Sequence, residues 1–220
     1  MWWQDTVDTI TYTCSPVDKA NCLAVILVGG QGKRLGGCQK GLIQIQQQRM
    51  IDYQLAVTQK VAQQTVVLGV DKNSIASISA DYPHVKHWPD LYQQVSPLSG
   101  IKTALYASPV PWVWIFANDL PNIDLDHCQT LSMNTYQYYL QNNKYPLVTF
   151  YYDQWIHPLA ALWHRDALPM IPPLNSKHLS LQRFCKQIPH LAIPITSANS
   201  LHNINTMEDL QNFTAFLIDK

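Results

Sequence analysis

Continuous apolar runs that stop at a polar residue or a glycine are the dominant pattern along the chain. The clearest run extends from Cys22 to Val28 and stops at the pair Gly29-Gly30. An uninterrupted apolar run of this length is typical of a strand that is buried on both faces, as in a parallel sheet. The strands predicted in this way are Cys22 to Val28, Thr65 to Val70, Val85 to Trp88, Trp112 to Ala117, Leu147 to Tyr152 and Leu159 to Trp163.

Segments with apolar residues at helical spacing separate these runs. Pro97 suits the first position of a helix, and Asp124 suits an N-cap. The predicted helices are Met50 to Ala62, Leu98 to Ala107, Asp124 to Leu140, Leu179 to Gln187 and Thr206 to Ile218. Strands that alternate with helices predict βαβ units and an α/β fold with a mainly parallel sheet.

Two stretches stand outside this alternation. Residues 1 to 20 are polar and rich in threonine, and we predict a loosely ordered leader there. Residues 21 to 220 are then expected to form a single domain. The glutamine-rich patch from Gln44 to Gln48 is too short for a low-complexity segment and is predicted to be a polar turn.

Composition narrows the classes of partner. The chain is 47% hydrophobic and 10% aromatic, which predicts a buried core rather than disorder. Lysine plus arginine and aspartate plus glutamate both number 15, so there is no basic excess to neutralise phosphates along a polymer. We therefore expect small molecules or proteins as partners, and neither nucleic acid nor a membrane surface.

Cysteines and apolar segments bear on the compartment. The five cysteines are odd in number and include no C-x-x-C pair, which argues against a disulfide framework and against a zinc site. The N-terminus lacks the basic start and apolar run of a signal peptide. The longest apolar stretch, Leu23 to Val28, falls far short of the roughly 20 residues that span a bilayer. A cytoplasmic protein is expected.

The segment from Gly29 to Lys40 has the composition of a phosphate-binding loop. Five glycines occur in nine residues directly after the first predicted strand. Glycine lets the backbone turn tightly and lets a ligand approach the amides, which together form an anion-binding nest. Lys33, Arg34 and Lys40 lie in or at the end of the loop. Amides with several cations suit a triphosphate, whose charge is spread over many oxygens.

Two common nucleotide-binding motifs do not fit this loop. The P-loop pattern G-x-x-x-x-G-K-S/T fails because Gly37 is followed by Cys38. The Rossmann pattern G-x-G-x-x-G fails because its third glycine, Gly36, comes one residue late. On these residues alone, an ordinary glycine-rich turn with exposed basic side chains remains an alternative.

A more specific pattern covers most of the chain. Leu27 to Lys40 resembles the signature of the molybdenum cofactor guanylyltransferases and their relatives, the MobA-like nucleotidyltransferase family. The Gly-Gly pair, the arginine and the lysine fall at matching spacing. Four further segments resemble family motifs in the same order. They are Asp90 with Ser96 to Ile101, then Phe116 to Pro121, His157 to Leu162 and Asn203 to Leu210.

The resemblance implies a Rossmann-like three-layer fold of the nucleotide-diphospho-sugar transferase type. It also implies an enzyme that transfers GMP from GTP to molybdopterin, or to its molybdenum-loaded form, and releases pyrophosphate. Mg²⁺ is the implied cofactor, with Asp119 as its ligand at the end of a predicted strand. Molybdenum cofactor biosynthesis proteins or molybdoenzyme chaperones are the implied protein partners.

The family's site residues carry over position by position. Arg34, Lys40 and Asp119 are the predicted catalytic groups, with both cations acting on the phosphates. The predicted nucleotide-binding residues are Leu27, Val28, Gly29, Gly30, Lys40, Leu68, Asp90, Pro97, Leu98 and Asp119. The residues predicted to lie near the second substrate are His157, Asn203 and Asn205, and help in binding the metal is the alternative role for the two asparagines. No general base is required, because the phosphate of the second substrate already carries an anionic nucleophile.

Several positions depart from the family pattern. Gln39 replaces the usual aspartate before the lysine, and Met207 stands where a proline usually follows. Leu68-Gly69 lies where an asparagine often helps to hold guanine. These departures leave two alternatives open: a related transferase that uses CTP or a sugar phosphate, and a non-catalytic paralogue that binds nucleotide or cofactor as an adaptor.

Overall fold

One large sheet runs through the protein, whose computed structural model describes residues 17–28, 40–69, 72–92, 96–174, 180–195, 201 and 203–218. The strands in chain order are β1 (Cys22–Leu27), β2 (Gln44–Ile45), β3 (Gln48–Arg49), β4 (Gln64–Leu68), β5 (Lys86–Trp88), β6 (Trp112–Ala117), β7 (Val148–Tyr152), β8 (Ile156–His164) and β9 (His190–Pro194). Seven of them form a sheet of order β5-β4-β1-β6-β8-β7-β9, and β2 pairs with β3 in a separate hairpin.

The sheet is parallel except at β8. Parallel pairing joins β5 to β4, β4 to β1, β1 to β6, and β7 to β9. Strand β8 lies antiparallel between β6 and β7. The predicted α/β fold with a mainly parallel sheet is therefore confirmed.

Helices cover both faces of this sheet. They are α1 (Met50–Val61), α2 (Lys72–Asp81), α3 (Pro97–Ala107), α4 (Leu125–Asn142), α5 (Leu181–Gln187) and α6 (Met207–Ile218), with short 3-10 helices at Lys19–Asn21, Lys40–Leu42 and Arg165–Met170. Within the described residues, none of these helices has the length and apolar character needed to cross a membrane.

The core has one apolar layer on each face of the sheet. Alternate residues of β1 point to opposite faces: Ala24 and Ile26 join the layer with Leu55 of α1, whereas Val25 joins the layer with Ile101 of α3. Every residue of β1 is buried, because both faces are covered by helices. This explains the uninterrupted apolar run, and it gives the three layers of the predicted architecture.

Side chains cap the N-termini of helices α3 and α4. Ser96 accepts a hydrogen bond from the backbone N–H of Ser99 at 3.2 Å, and Pro97 occupies the first turn of α3. The Asp124 carboxylate accepts from the backbone N–H of His127 at 3.0 Å and caps α4, as predicted. All five predicted helices and all six predicted strands are present, and the predicted ends at Val70 and Leu179 lie outside the described residues.

Among the strands and α-helices of the described residues, β2, β3, α2 and β9 were not predicted, and β8 was predicted too short. The hairpin β2–β3 occupies the glutamine-rich patch, whose turn includes Gln46 at a φ of 57°. Helix α2 is largely polar, and β9 is a half-buried edge strand that ends in Pro194, so neither carries a strong apolar period. Strand β8 begins at Ile156 and includes the His157-Pro158 pair.

Candidate active site

A cavity of about 430 Å³ lies at the carboxyl ends of four strands: β1, β4, β5 and β6. The strand order reverses at β1: the chain first continues to β4 on one side of β1 and later to β6 on the other side. Ligands of open parallel sheets bind outside the strand ends at such a reversal. The residues that line the cavity are Leu27, Val28, Leu68, Gly69, Asp90, Ser96, Pro97, Gly100, Ala117, Asn118, Asp119, Leu159 and Asn203.

Two glycines give the cavity its shape. Gly100 on α3 faces β1 so closely that a Cβ there would be 3.0 Å from Cδ2 of Leu27. Gly69 follows β4 at a φ of 86°, and its N–H donates to the Trp88 carbonyl at 3.1 Å. The left-handed backbone at Gly69 favours glycine and lets the chain turn away from the strand ends.

Asp119 lies beyond the end of β6, on the wall of the cavity. Its side chain is 17% exposed, and Oδ2 lies 3.5 Å from Lys40 Nζ. Its other oxygen, Oδ1, is buried and has no hydrogen-bond partner among the described residues. Burial raises the pKa of this carboxyl, and the neighbouring Lys40 ammonium acts in the opposite direction. A buried carboxylate oxygen without a donor is a ready ligand for a cation.

Three distant segments of the chain meet at this carboxylate. Lys40 begins the 3-10 helix before the β2–β3 hairpin, and its Nζ lies 2.5 Å from Oδ1 of Asn205. The N–H of Ile204 donates to the Asp119 carbonyl at 2.8 Å. The structure therefore brings Lys40, Asp119 and Asn205 together, although the first and last are 165 residues apart.

Asp90 is held at the cavity wall by hydrogen bonds. Its Oδ1 accepts from the Thr103 hydroxyl at 2.8 Å and from the Tyr92 N–H at 3.1 Å. Its Oδ2 accepts from the Ser99 hydroxyl at 2.8 Å. These bonds tie the loop after β5 to helix α3. Asp90 thus has an evident structural role in addition to its place on the cavity.

Most of the predicted site residues described by the structure lie in or beside the cavity. Lys40 and Asn205 adjoin it through their contacts with Asp119 and with each other, and we call these three residues the Asp119 cluster. Leu98 is 7% exposed and packs in the core beneath the cavity wall. The predicted residues that line the cavity itself are Leu27, Val28, Leu68, Asp90, Pro97, Asp119 and Asn203. The predictions for Gly29, Gly30 and Arg34 concern positions outside the described residues.

His157, like Leu98, is a predicted site residue outside the lining of the cavity. It lies in β8, and its Nε2 is 3.4 Å from Oδ2 of Asp153 in the turn after β7. It is not among the residues that line the cavity. Its role near a second substrate stays a prediction.

Other cavity residues belong to motifs that were noticed in the sequence but not assigned to the site. Asn118 precedes Asp119 and is 4% exposed, and Gly41 approaches it closely enough that a Cβ would be 3.6 Å from Asn118 Nδ2. Gly100 lies one helical turn after Ser96 and Pro97. The spacing on α3 is the signal that could have identified it, because residues three and four apart share a helix face.

The Asp119 cluster suits Mg²⁺ bound together with phosphates. A carboxylate oxygen is the ligand that Mg²⁺ prefers, and Oδ1 has no hydrogen-bond donor among the residues that the structure describes. Within the described ranges, no three His, Cys, Asp or Glu side chains form a preformed metal site. Further oxygens would therefore have to come from solvent and from substrate phosphates, as is usual for Mg²⁺ in phosphoryl transfer.

Comparisons with known proteins place the chain among nucleotidyltransferases. The family model described as MobA-like NTP transferase domain matches residues 24–191. The molybdenum cofactor guanylyltransferase of Histophilus somni is 28% identical and covers 86% of this chain and 94% of its own length. The one from Vibrio cholerae is 27% identical and covers 93% of this chain and 97% of its own length.

A solved structure supports the fold. The crystal structure of molybdopterin-guanine dinucleotide biosynthesis protein A from Archaeoglobus fulgidus has a TM-score of 0.72 and 18% identity. The match covers 90% of this chain and the whole of that one. At this level of identity the likeness concerns the fold, which is the predicted three-layer nucleotide-diphospho-sugar transferase type.

Proposed function

The chain belongs to the MobA-like NTP transferase family, and from this membership we propose that it transfers GMP from GTP to molybdopterin or its molybdenum-loaded form. The relatives that carry the name molybdenum cofactor guanylyltransferase support this choice of substrates. The observation that carries the chemistry is the buried Asp119 oxygen that has no donor among the described residues, on a cavity that also adjoins a lysine.

The reaction is a displacement at the α-phosphorus of GTP. A phosphate oxygen of molybdopterin forms the new P–O bond, and the bond from the α-phosphorus to the bridging oxygen breaks. Pyrophosphate leaves with that electron pair. The attacking oxygen is already anionic, so no side chain needs to remove a proton, and His157 is not required as a base.

The side chains contribute position and charge. Lys40 offsets negative charge on the phosphates, and Asp119 supplies the oxygen that would hold Mg²⁺. When bound, Mg²⁺ supplies charge stabilisation to the phosphate oxygens in the transition state. We keep Arg34, Gly29 and Gly30 as the sequence-predicted contacts to the same phosphates.

The cavity wall would receive the nucleoside. Leu27, Val28 and Leu68 present apolar surface there, and Pro97 closes the wall on the α3 side. Such a surface suits the face of a base, with backbone groups at the strand ends providing polar contacts. Gly69 offers no side chain to the base, so selection of guanine would depend on the backbone near this turn.

The second substrate would approach from the Asn203 side. Asn203 lines the main cavity and also a neighbouring cavity of about 320 Å³ along helix α6. Phe213 and Phe216 contribute apolar surface to that neighbouring cavity. A flat pterin ring and its phosphate could thus span from α6 to Asp119, with Asn203 between the two cavities.

Pyrophosphate release tests the proposal. The purified chain is incubated with Mg²⁺, molybdopterin and, in parallel, GTP, CTP, ATP or UTP. We expect release with GTP that needs molybdopterin and that is lost in Asp119→Ala. Release with CTP in place of GTP would identify a cytidylyltransferase, and GTP binding without turnover would support a non-catalytic adaptor. Activity that survives Asp119→Ala would contradict the metal role.

A further inference from the structure

Asn205 competes with Asp119 for the same ammonium. Lys40 Nζ lies 2.5 Å from the Asn205 amide oxygen but 3.5 Å from the nearer Asp119 oxygen. The first distance is that of a short, charge-assisted hydrogen bond, and the second is a loose ion pair. The ammonium thus lies closer to the neutral amide than to the carboxylate.

The Asn205 backbone is fixed on both sides. The N–H groups of Asn205 and Thr206 both donate to Oδ2 of Asp209 at 2.8 Å, at the start of α6. On the other side, Ile204 donates to the Asp119 carbonyl and is 2% exposed in a core cluster with Ile45. Lys40 has a flexible four-carbon stem, so the anchored amide determines where the ammonium lies.

The carboxylate is left open as a result. A lysine that closed on Asp119 would neutralise the charge and cover the oxygens that a divalent cation needs. Instead Oδ2 keeps a distant partner, and the buried Oδ1 has none among the described residues. The Lys40 ammonium therefore leaves room at the Asp119 carboxylate, where it would otherwise compete with a divalent cation.

We propose that Asn205 is a positioning residue that holds the Lys40 ammonium off Asp119 and so keeps the carboxylate available to a divalent cation. This inference rests on the proposed metal role of Asp119. It assigns Asn205 an effect on cation affinity that acts through Lys40. A contact of Asn205 with the second substrate would leave that affinity unchanged.

Cation binding can be measured without either substrate. Mn²⁺ is titrated into the full chain, and the free ion is followed by its EPR spectrum, with neither nucleotide nor pterin present. In Asn205→Ala the Lys40 ammonium loses the amide oxygen, and Asp119 is its remaining partner among the described residues. We therefore expect the ammonium to move closer to the Asp119 carboxylate. We expect the apparent Mn²⁺ dissociation constant to rise about tenfold, as a shorter ion pair at the carboxylate predicts.

The double variant separates positioning from other roles. Lys40→Ala removes the competing ammonium, so Lys40→Ala/Asn205→Ala is expected to bind Mn²⁺ as Lys40→Ala does. Gln211 is exposed on the same helix, and Gln211→Ala is the matched loss of an amide that leaves Mn²⁺ binding unchanged. Melting curves of all variants are compared, so that a loss of folding is recognised.

Three results would overturn the inference. Equal Mn²⁺ affinity in Asn205→Ala and the unaltered chain would show that the amide does not restrain Lys40. A loss that persists in the Lys40→Ala background would make Asn205 a direct ligand. Unchanged Mn²⁺ binding in Asp119→Ala would remove the metal role itself, a failure of the proposed function that the other two results do not imply.

Discussion

Gly100 lies directly against Leu27: a Cβ at Gly100 would be 3.0 Å from Cδ2 and 3.3 Å from Cδ1 of the leucine. Both residues line the main cavity, so the close packing of α3 on β1 sets its width. The atoms that the Cβ would meet are at the end of the Leu27 side chain, which can move. The open space next to this side chain is the cavity. A methyl group at position 100 therefore displaces Leu27 toward the space that the nucleotide would occupy.

We expect Gly100→Ala to weaken GTP binding several-fold while changing stability little. The gain in helix propensity, about 1 kcal/mol, offsets much of the steric cost. Isothermal titration calorimetry measures the first effect, and urea unfolding measures the second. Gly41→Ala is the matched control, because its nearest contacts would be at an ordinary 3.6 Å. Full GTP affinity in Gly100→Ala would contradict this account of the cavity wall.

Asp119→Asn should lose activity and gain stability. Burial raises the pKa of this carboxyl, so the folded state binds its proton more tightly than the unfolded chain does. That stabilisation is lost as pH rises through the raised pKa, because the ionised carboxylate is then buried. An amide avoids this cost, and we expect about 1 kcal/mol of added stability at neutral pH. Activity should fall about 10²- to 10³-fold.

The pH dependence provides the check on Asp119→Asn. Below the ordinary carboxyl pKa of 3.8, both the carboxyl and the amide are neutral, and the two proteins should differ little in stability. The difference in melting temperature should grow between 3.8 and the raised pKa and then stay constant. Calorimetric melts across this range measure it. A variant that melts below the unaltered protein at neutral pH would show that the carboxylate is stabilising.

Asp90→Ala should act chiefly on stability. The carboxylate accepts from the Ser99 and Thr103 hydroxyls and from the Tyr92 N–H. Its removal takes this acceptor from the Thr103 hydroxyl and the Tyr92 N–H, whereas the Ser99 hydroxyl keeps the Ser96 carbonyl as an acceptor. We expect a cost of about 2 kcal/mol. Urea unfolding should show the loss, with a smaller one for Thr103→Val. If Asp90→Ala reduced GTP affinity with no change in unfolding free energy, its role would be in binding rather than in structure.

The position of Asp119 could be predicted from local pattern. The apolar run Trp112 to Ala117 marks a buried strand, and the residues after a parallel strand lie at the ligand-binding edge. Leu27 and Leu68 lie near the ends of other predicted strands, but it was the family resemblance that assigned them to the site. The signal for Asp119 is a short apolar segment that marks a buried strand. The burial of such a strand depends on the whole sheet and not on one particular long-range contact.

The contact between Lys40 and Asn205 could not be predicted in this way. It depends on how α6 docks against the β2–β3 hairpin, where Ile204 packs with Ile45 and Met50. No periodicity reports such a long-range contact. The resemblance to the family assigned Lys40 to the phosphates and Asn205 to the metal or the second substrate, and it did not indicate a contact between the two side chains. Likewise, His157 was identified by its motif, and its pairing with Asp153 depends on where β8 begins.

Gly69 provides a final test of the cavity. Its φ of 86° disfavours side chains, and a Cβ would lie 3.3 Å from the Val28 carbonyl oxygen. We expect Gly69→Ala to lower the unfolding free energy by about 1 kcal/mol. Gly69→Asn should cost less than that, because asparagine tolerates this region of backbone better than alanine does.

The asparagine variant also addresses base selection. The family resemblance places a guanine-holding asparagine near this turn, and the amide of Gly69→Asn would extend along the cavity. Competition between GTP and CTP should then shift toward GTP in Gly69→Asn but not in Gly69→Ala. An equal shift toward GTP in both variants would show that a change in the backbone at position 69, and not the asparagine amide, causes it. No shift in either would mean that guanine, if it is the base selected, is recognised elsewhere on the cavity wall.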